Sequence, residues 1–420
     1  MGGIVEDTLN LVSAKPGLAE RLFYSSLAGA RECCIQVRFG GATRVFGDAS
    51  HGLRAELVVH SDRFFTRAVL GGDIGVGEAY MDGDWSSPDV VAVVRAAIRN
   101  MPQLDARNRA ISMATRGANF LRHLLNDNTE TGSRRNIARH YDLGNEFYGL
   151  FLDRSMAYSC AYYESGDDSL ETAQQRKFET ICRKLDLRPG DHVIEIGTGW
   201  GGFAAYAATR YGCRITTTTI SKEQHAFSAD LFASLPAGKI ELLAEDYRNL
   251  RGSYDKLVSI EMFEAVGYKH YNEFFGACER LLKPGGKMLL QTITMNERHF
   301  QKYLRQSDWI KKYIFPGAEL ASVAGILQSA ARVGTLQLAG AEDIGEHYAL
   351  TLREWRRRFM SRLQDVRGLG FDERFLRMWD FYLAYCEGGF LEHYIGDMQL
   401  VLAKPGGSQA GTPGLRGVAQ

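Results

Sequence analysis

Three glycines in the stretch HVIEIGTGWGGFA, namely Gly197, Gly199 and Gly202, have the spacing at which a tight turn brings backbone close to a nucleotide-like ligand. The apolar run before them has the period of a strand and the FAAYAA run after them that of a helix, which is the setting such a turn needs. A nicotinamide or flavin cofactor would ask for a carboxylate at the end of the second strand, about 20 residues on, to hold a ribose hydroxyl. That strand ends TTTTIS instead, so Thr219, Ser221 and Gln224 offer neutral hydrogen-bonding groups where a ribose would lie. Glu195, two residues before the first glycine, suits a cofactor with a cationic amino-acid end, and Tyr247 in the run EDYR could stack on an adenine. S-adenosylmethionine has both ends.

The elements that must hold these groups follow from the periodicity. From residue 140 the chain alternates strand, glycine turn and helix: HVIEIGTGWGGFAAYAATRYG, then strands in CRITTTTIS, KIELLAEDYRNL, YDKLVSIEMFEAVG and LLKPGGKMLLQTIT. Such alternation predicts a doubly wound α/β fold on a parallel sheet, with ligands at the carboxyl ends of the strands. Residues 1–125 mix short alternating runs (CCIQVRF, AELVVH) with the helical run PDVVAVVRAAIRNM, the pattern of a smaller N-terminal α+β domain. The polar stretch LNDNTETGSRRN predicts a linker over 126–138, ahead of a catalytic domain over 139–404 and a disordered glycine-rich tail over 405–420.

Composition narrows the partners. The 50 basic and 50 acidic residues balance, so no global field draws the chain to nucleic acid. No run approaches the roughly 20 apolar residues of a spanning helix, and the first residues carry an acid pair, Glu6 and Asp7, so a cytoplasmic protein is expected. Seven cysteines without a ladder of spacings fit reduced thiols, and no metal site is expected.

Beyond the glycine turn the chain resembles the cyclopropane-fatty-acyl-phospholipid synthases, relatives of the mycolic acid cyclopropane synthases. The shared motifs run in order from RHYDLGNEFYGLFLDRSMAYSCAYY through IGTGWGG, TISKEQ, MFEAVG, LKPGGKMLLQTIT, KYIFPG and HYALTLREWRRRF to FYLAYCEGGF, about residues 139–400, with a weaker echo in GEAYMDGDW. The resemblance implies a Rossmann-like class I S-adenosylmethionine-dependent methyltransferase domain. Its implied reaction puts a methyl on the cis double bond of an unsaturated phospholipid acyl chain and closes a cyclopropane ring. By the same resemblance Tyr158 and Ser159 cover the cofactor, and Gly197, Thr198, Gly199, Trp200 and Gly201 hold its methionine part. Thr219 and Gln224 then lie by the ribose, and Tyr247 with Asp246 or Arg248 borders the adenine.

An alkene is a poor nucleophile, so the site must be dry and well aligned, and methyl addition leaves a carbocation that aromatic faces can stabilise. Tyr158, Tyr162, Phe263, Tyr313 and Tyr348 are candidates, each with core packing as the plainer reading. The resemblance implies bound bicarbonate as the base, held at Cys160, Glu264, Gln291, Ile293 and Tyr348. One position departs from the family pattern: LLQTI places Gln291 where the best-known synthases carry histidine. An amide can donate to bicarbonate but cannot relay a proton. Ring closure is expected, with a methyl-branched or methylene product as the alternative. Cys386 in AYCEGGF matches a cysteine regarded in the family as an active-site candidate, but no covalent role fits this chemistry and a lining thiol is expected. His140, His270 and His347 read as structural.

To reach its lipid the protein needs local patches. FQKYLRQSDWIKKYIFPG interleaves Lys302, Arg305, Lys311 and Lys312 with Tyr303, Trp309 and Tyr313, and LREWRRRFMSRL adds Arg356, Arg357 and Arg358. These predict peripheral contact at the inner face of the membrane. The front domain is expected to seat the lipid or form a homodimer. Rival readings are a small-molecule methyltransferase, a silent lipid-binding protein and a nicotinamide oxidoreductase. The combined motifs, the intact glycines with Glu264, and the missing ribose carboxylate weigh against them in turn.

Overall fold

The computed structural model describes residues 16–101 and 143–406. These form two compact units, one of residues 16–101 with Glu373–Phe381, the other of residues 143–372 and 382–406. The linker expected over 126–138, the tail beyond 406 and His140 lie outside the described residues.

In the first unit, β1 (Cys34–Phe39) turns through Gly40 and Gly41, with φ of 58° and 80°, into antiparallel β2 (Ala42–Gly47). Two consecutive left-handed residues match the twist of a hairpin, and glycine adopts them without steric cost. β3 (Arg54–Val59) runs parallel to β1, and β4 (Trp85–Ser86) closes the order β2-β1-β3-β4. Helices α1 (Leu18–Leu27), α2 (Arg63–Met81) and α3 (Val90–Arg99) complete the α+β texture expected here. Asp89 caps α3 by accepting from the N–H of Ala92 at 2.9 Å. Such a cap stabilises a helix start by about 1 kcal/mol.

The second unit is built on a seven-stranded sheet of order β10-β11-β9-β8-β5-β6-β7. β5 (His192–Ile196), β6 (Arg214–Thr218), β7 (Ile240–Leu243), β8 (Tyr254–Ile260) and β9 (Leu282–Met295) are parallel neighbours, in the five places expected. The chain leaves β5 toward β6 on one side and later returns to β8 on the other, so the end of β5 is the switch point of the sheet. α4 (Leu170–Leu185), α5 (Gly202–Tyr211), α6 (Lys222–Ala233) and α7 (Tyr271–Leu281) are the helices nearest the site elements in sequence. Ile194, Ile196, Leu257 and Leu290 pack with α7 residues in one core, Val193, Ile215, Val258 and Leu289 with α4 and α5 residues in another. Apolar residues on both strand faces are what a sheet covered on both sides requires.

Two further strands were not legible in the sequence: β10 (Gln337–Asp343), which runs with the other five, and β11 (Ile395–Ala403), which runs against its neighbours β9 and β10. β10 is largely exposed, and β11 follows helix α9 (Glu373–Leu391) after a three-residue interval, so neither shows the strand–turn–helix rhythm of the rest. β11 pairs along its length with β9, which sets Gln399 opposite Gln291 and Asp397 opposite Ile293. Directly paired residues share a face, as do residues two apart, so Asp397, Gln399 and Gln291 lie together.

Candidate active site

The glycine turn leaves β5 in a conformation only glycine takes easily. Gly197, Gly199 and Gly201 have φ of 101°, 54° and 87°. A Cβ on Gly201 would lie 2.7 Å from the ring of Phe232, and one on Gly197 would lie 3.0 Å from the Met262 side chain. The N–H groups of Gly197 and Thr198 donate to the carbonyl of Thr218, at 3.1 and 3.0 Å, tying the turn to the end of β6. Trp200 is buried and donates its indole N–H to Asn145 at 2.7 Å.

Glu195 is buried beneath this turn. Thr217 donates its hydroxyl to Glu195 Oε2 at 2.5 Å and also lies 2.7 Å from the Thr198 hydroxyl. Burial, opposed by the Thr217 hydrogen bond, raises the Glu195 carboxyl to about 8. On the second strand's exit, Thr219 donates to Gln224 Oε1 at 3.0 Å, and Ser221 caps α6 by accepting from the Gln224 N–H at 3.3 Å. After β7, Asp246 accepts from the Arg248 N–H at 3.0 Å, Arg248 lies 5.1 Å from the centre of the Tyr247 ring, and that ring packs edge-on to Phe274 at 5.4 Å. Tyr247 is therefore part of the core that supports this edge of the site.

The segment before α4 carries Tyr158 and Ser159, the residues expected to cover a cofactor. Tyr158 sits 5.2 Å from the ring of Trp355 and 5.3 Å from that of Tyr148, and its hydroxyl meets that of Tyr382 at 2.8 Å. Tyr148 in turn lies 5.0 Å from Trp200 of the glycine turn. Ser159 is buried, accepting from the ammonium of buried Lys177 at 2.6 Å. Of the other aromatic candidates, Phe263 packs into the core against Tyr271 and Phe274, Tyr162 stacks on His347 and donates to Glu342, and Tyr313 lies beside Trp309. Tyr348 stacks on Phe390 and meets Trp355 edge-on.

Three of the five groups expected around an anion, Cys160, Gln291 and Tyr348, are drawn together, but around a residue of the chain itself. Glu261, one residue past β8, accepts at Oε1 from the Cys160 N–H and from Gln291 Nε2, both at 2.8 Å. Its Oε2 accepts from the Tyr348 hydroxyl at 2.5 Å. Glu264 stands apart from these donors: Oε1 takes the Ile293 N–H at 2.6 Å and the Thr292 hydroxyl at 2.9 Å, while Oε2 is buried without a hydrogen-bond partner. Gln291 Nε2 also donates to Asp397 at 3.1 Å, and its Oε1 accepts from Gln399 at 3.0 Å.

Burial, and then the charge of Glu261, push the Glu264 carboxyl up to about 7. Asp397 is driven far above the usual carboxylate range by burial and by the same two neighbours. Burial raises Glu261 as well, but Tyr348, the Cys160 N–H, Lys177 and Gln291 all favour its charged form. The proton of this group therefore resides on Asp397 and the charge on Glu261. The sequence reading missed Glu261, Asp397, Lys177 and Trp355. Glu261 had a signal, a carboxylate at the exit of a strand in EMFEAVG; Asp397 had none without β11.

Other expected surfaces look different in place. Trp309 and Lys311 are buried, and the Lys311 ammonium sits 3.6 Å from the centre of the Tyr303 ring, so they support the fold and do not face a membrane. Arg357 and Arg358 are engaged by Glu354, and Arg358 also by Glu171 at 3.0 Å. Lys302 and Arg305 remain exposed. Burial holds the Cys386 thiol protonated, so it offers no thiolate. His347 accepts from the Tyr163 N–H at 3.2 Å, and His270 faces Glu273, as structural residues do.

A seven-stranded sheet in which β11 alone runs antiparallel, inserted between β9 and β10, with a left-handed glycine turn at the switch point, is the class I S-adenosylmethionine-dependent methyltransferase fold. Residues 128–400 match the mycolic acid cyclopropane synthetase family, and the chain belongs to that family. It is a methyltransferase of the cyclopropane-fatty-acyl-phospholipid synthase type. Tuberculostearic acid methyltransferase UfaA1 of Mycobacterium tuberculosis is 39% identical over 347 residues, 80% of each chain. Cyclopropane-fatty-acyl-phospholipid synthase of Escherichia coli is 36% identical over 356 residues, 83% of this chain and 88% of that one. The mycolic acid cyclopropane synthase CmaA1 complexed with SAH and CTAB superposes with a TM-score of 0.61 at 30% identity, covering 64% of this chain and 98% of its own.

Proposed function

We propose that this enzyme methylates the cis double bond of an unsaturated phospholipid acyl chain and closes the resulting cation to a cyclopropane. The observation that carries the reading is the closeness of the acid cluster to the glycine turn: Met262, next to Glu261, is what a Cβ on Gly197 would strike. A group able to take a proton thus adjoins the place of a methyl donor.

S-adenosylmethionine supplies an electrophilic methyl when bound. The left-handed glycines would hold its methionine end with Glu195 and Thr198, while Thr219 and Gln224 would take the ribose, Asp246, Tyr247 and Arg248 the adenine, and Tyr158 and Ser159 would cover it. Tyr158, Trp355 and Tyr348 exclude water and offer π faces to a developing cation, at about 0.5–2 kcal/mol each. No thiolate is available at Cys386 to capture that cation.

A second reading, a methylene or methyl-branched product, is favoured by the tuberculostearic acid relative and by Gln291, which carries no titratable proton. Ring and methylene both form by loss of a proton from the newly added methyl. They differ only in whether a hydride first shifts between the two former alkene carbons.

Incubation with S-adenosylmethionine and vesicles of an unsaturated phospholipid, followed by mass spectrometry of the acyl chains, tests both. A gain of one CH₂ unit is expected, and a product that resists mild hydrogenation is the ring. An unchanged acyl pool with folded protein would end this reading. The same vesicles, sedimented with the protein, test peripheral membrane contact.

A further inference from the structure

Resting on that reading, the geometry points to Glu261 as the enzyme's built-in base, replacing the bicarbonate that the family resemblance implies. Three of the groups assigned to that ion, the Cys160 N–H, Gln291 Nε2 and the Tyr348 hydroxyl, already converge on the two oxygens of Glu261. A second anion would have to displace a carboxylate tethered to the chain, against its charge. Glu264 and Ile293, the other two, bond to each other. The residues present do not fit bicarbonate.

Backbone geometry supports the same assignment. Glu261 has φ of 47°, a left-handed conformation that L residues rarely adopt and that glycine would adopt freely. Strain of this kind is kept where the surroundings over-determine it, characteristically at functional sites. Here it turns the carboxylate from the end of β8 into the donors from β9, from α8 (Gly345–Ser361) and from the Cys160 segment. The neighbouring Asp397 holds its own proton, so Glu261 keeps the single negative charge of the pair.

The chemistry balances without an external partner. A C–H bond of the new methyl breaks, its electron pair forms the closing C–C bond of the ring or the π bond of a methylene, and the proton goes to Glu261. A C–H bond beside a carbocation is so acidic that a hydrogen-bonded carboxylate suffices. The same hydrogen bonds blunt its oxygens as nucleophiles, which guards the carboxylate against methylation.

The test compares wild type and Glu261→Gly in carbon-dioxide-free buffer, then with added bicarbonate or formate, reading acyl product from unsaturated phospholipid vesicles and the melting temperature. Wild type is expected to be indifferent to bicarbonate. Glu261→Gly, relieved of backbone strain but leaving three buried donors unpaired, should melt lower than wild type while still folding, and lose about 10²- to 10⁴-fold in rate, the usual share of a general base. Bicarbonate or formate should restore part of that rate by filling the vacated donors. Should the glycine variant fail to fold, Glu261→Gln, similar in shape but not basic, should show the same loss. Wild-type activity that collapses without bicarbonate and returns with it would overturn the proposal, as would a variant of full rate without any added anion. Absence of product from wild type under every condition would instead overturn the methylation reading, and this proposal with it.

Discussion

Tyr348 and Glu261, 87 residues apart in sequence, meet in a hydrogen bond of 2.5 Å between the phenol and Oε2. Burial and the Glu261 charge hold the phenol far above its ordinary value, so it stays a donor at any physiological pH. Tyr348→Phe keeps the ring stacked on Phe390 and removes only this donor. A hydrogen bond to a charged group contributes about 1.5–3 kcal/mol, so kcat should fall roughly 10- to 100-fold. KM for S-adenosylmethionine should hold. Steady-state kinetics on vesicles decide this, and an unchanged kcat would mean the bond is structural only.

Gln291 satisfies Glu261, Asp397 and Gln399 at once. A histidine there has two ring nitrogens for three partners, so Gln291→His should leave a buried group unpaired and destabilise the fold by about 1–3 kcal/mol. Restoring the residue type of the best-known synthases should therefore not raise ring formation while Glu261 is present. A denaturation curve with the ring-to-alkene ratio of the product reads both effects; more ring at unchanged stability would refute this.

Gly201→Ala should be worse than Gly199→Ala. Both have positive φ, but only at Gly201 would the new methyl strike the Phe232 ring, at 2.7 Å. A left-handed alanine costs about 1–2 kcal/mol, and overpacking adds about 1–3 kcal/mol at Gly201. Melting temperatures of the two variants, with S-adenosylmethionine titrated by calorimetry, give the order directly.

Glu195 makes the ligand-free protein sensitive to base. Its carboxyl is raised from 4.5 to about 8, first by burial, so the folded state holds a proton that the unfolded state releases. That contribution is fully present below about pH 4.5 and is lost as pH rises through about 8. Glu195→Gln should thus match wild type at the acid end and melt higher at the alkaline end. Parallel melting curves from pH 5 upward would contradict it.

Much of this was legible in local pattern. The run GTGWGG after an apolar strand marks a tight turn, because a backbone that goes left-handed at Gly197, Gly199 and Gly201 admits little else, while Gly202 opens the helix. The TTTTIS ending excludes the ribose carboxylate by composition alone. Cys160, Gln291 and Tyr348 were identified as partners of one anion through the family resemblance. Trp309 and Lys311 show the limit: an aromatic and basic mixture looks the same whether it faces lipid or folds inward, as both do here.

The sequence by itself determined the parallel strands of the α/β sheet, the glycine turn at its switch point and the list of donors, since each is written in short-range periodicity or in motif order. Only the tertiary structure decided what those donors hold. Pairing of β11 with β9 brings Asp397 and Gln399 to Gln291, and a left-handed Glu261 turns its carboxylate into the same space. These contacts span 30 to 108 residues of chain, and no local pattern encodes a neighbour at that distance.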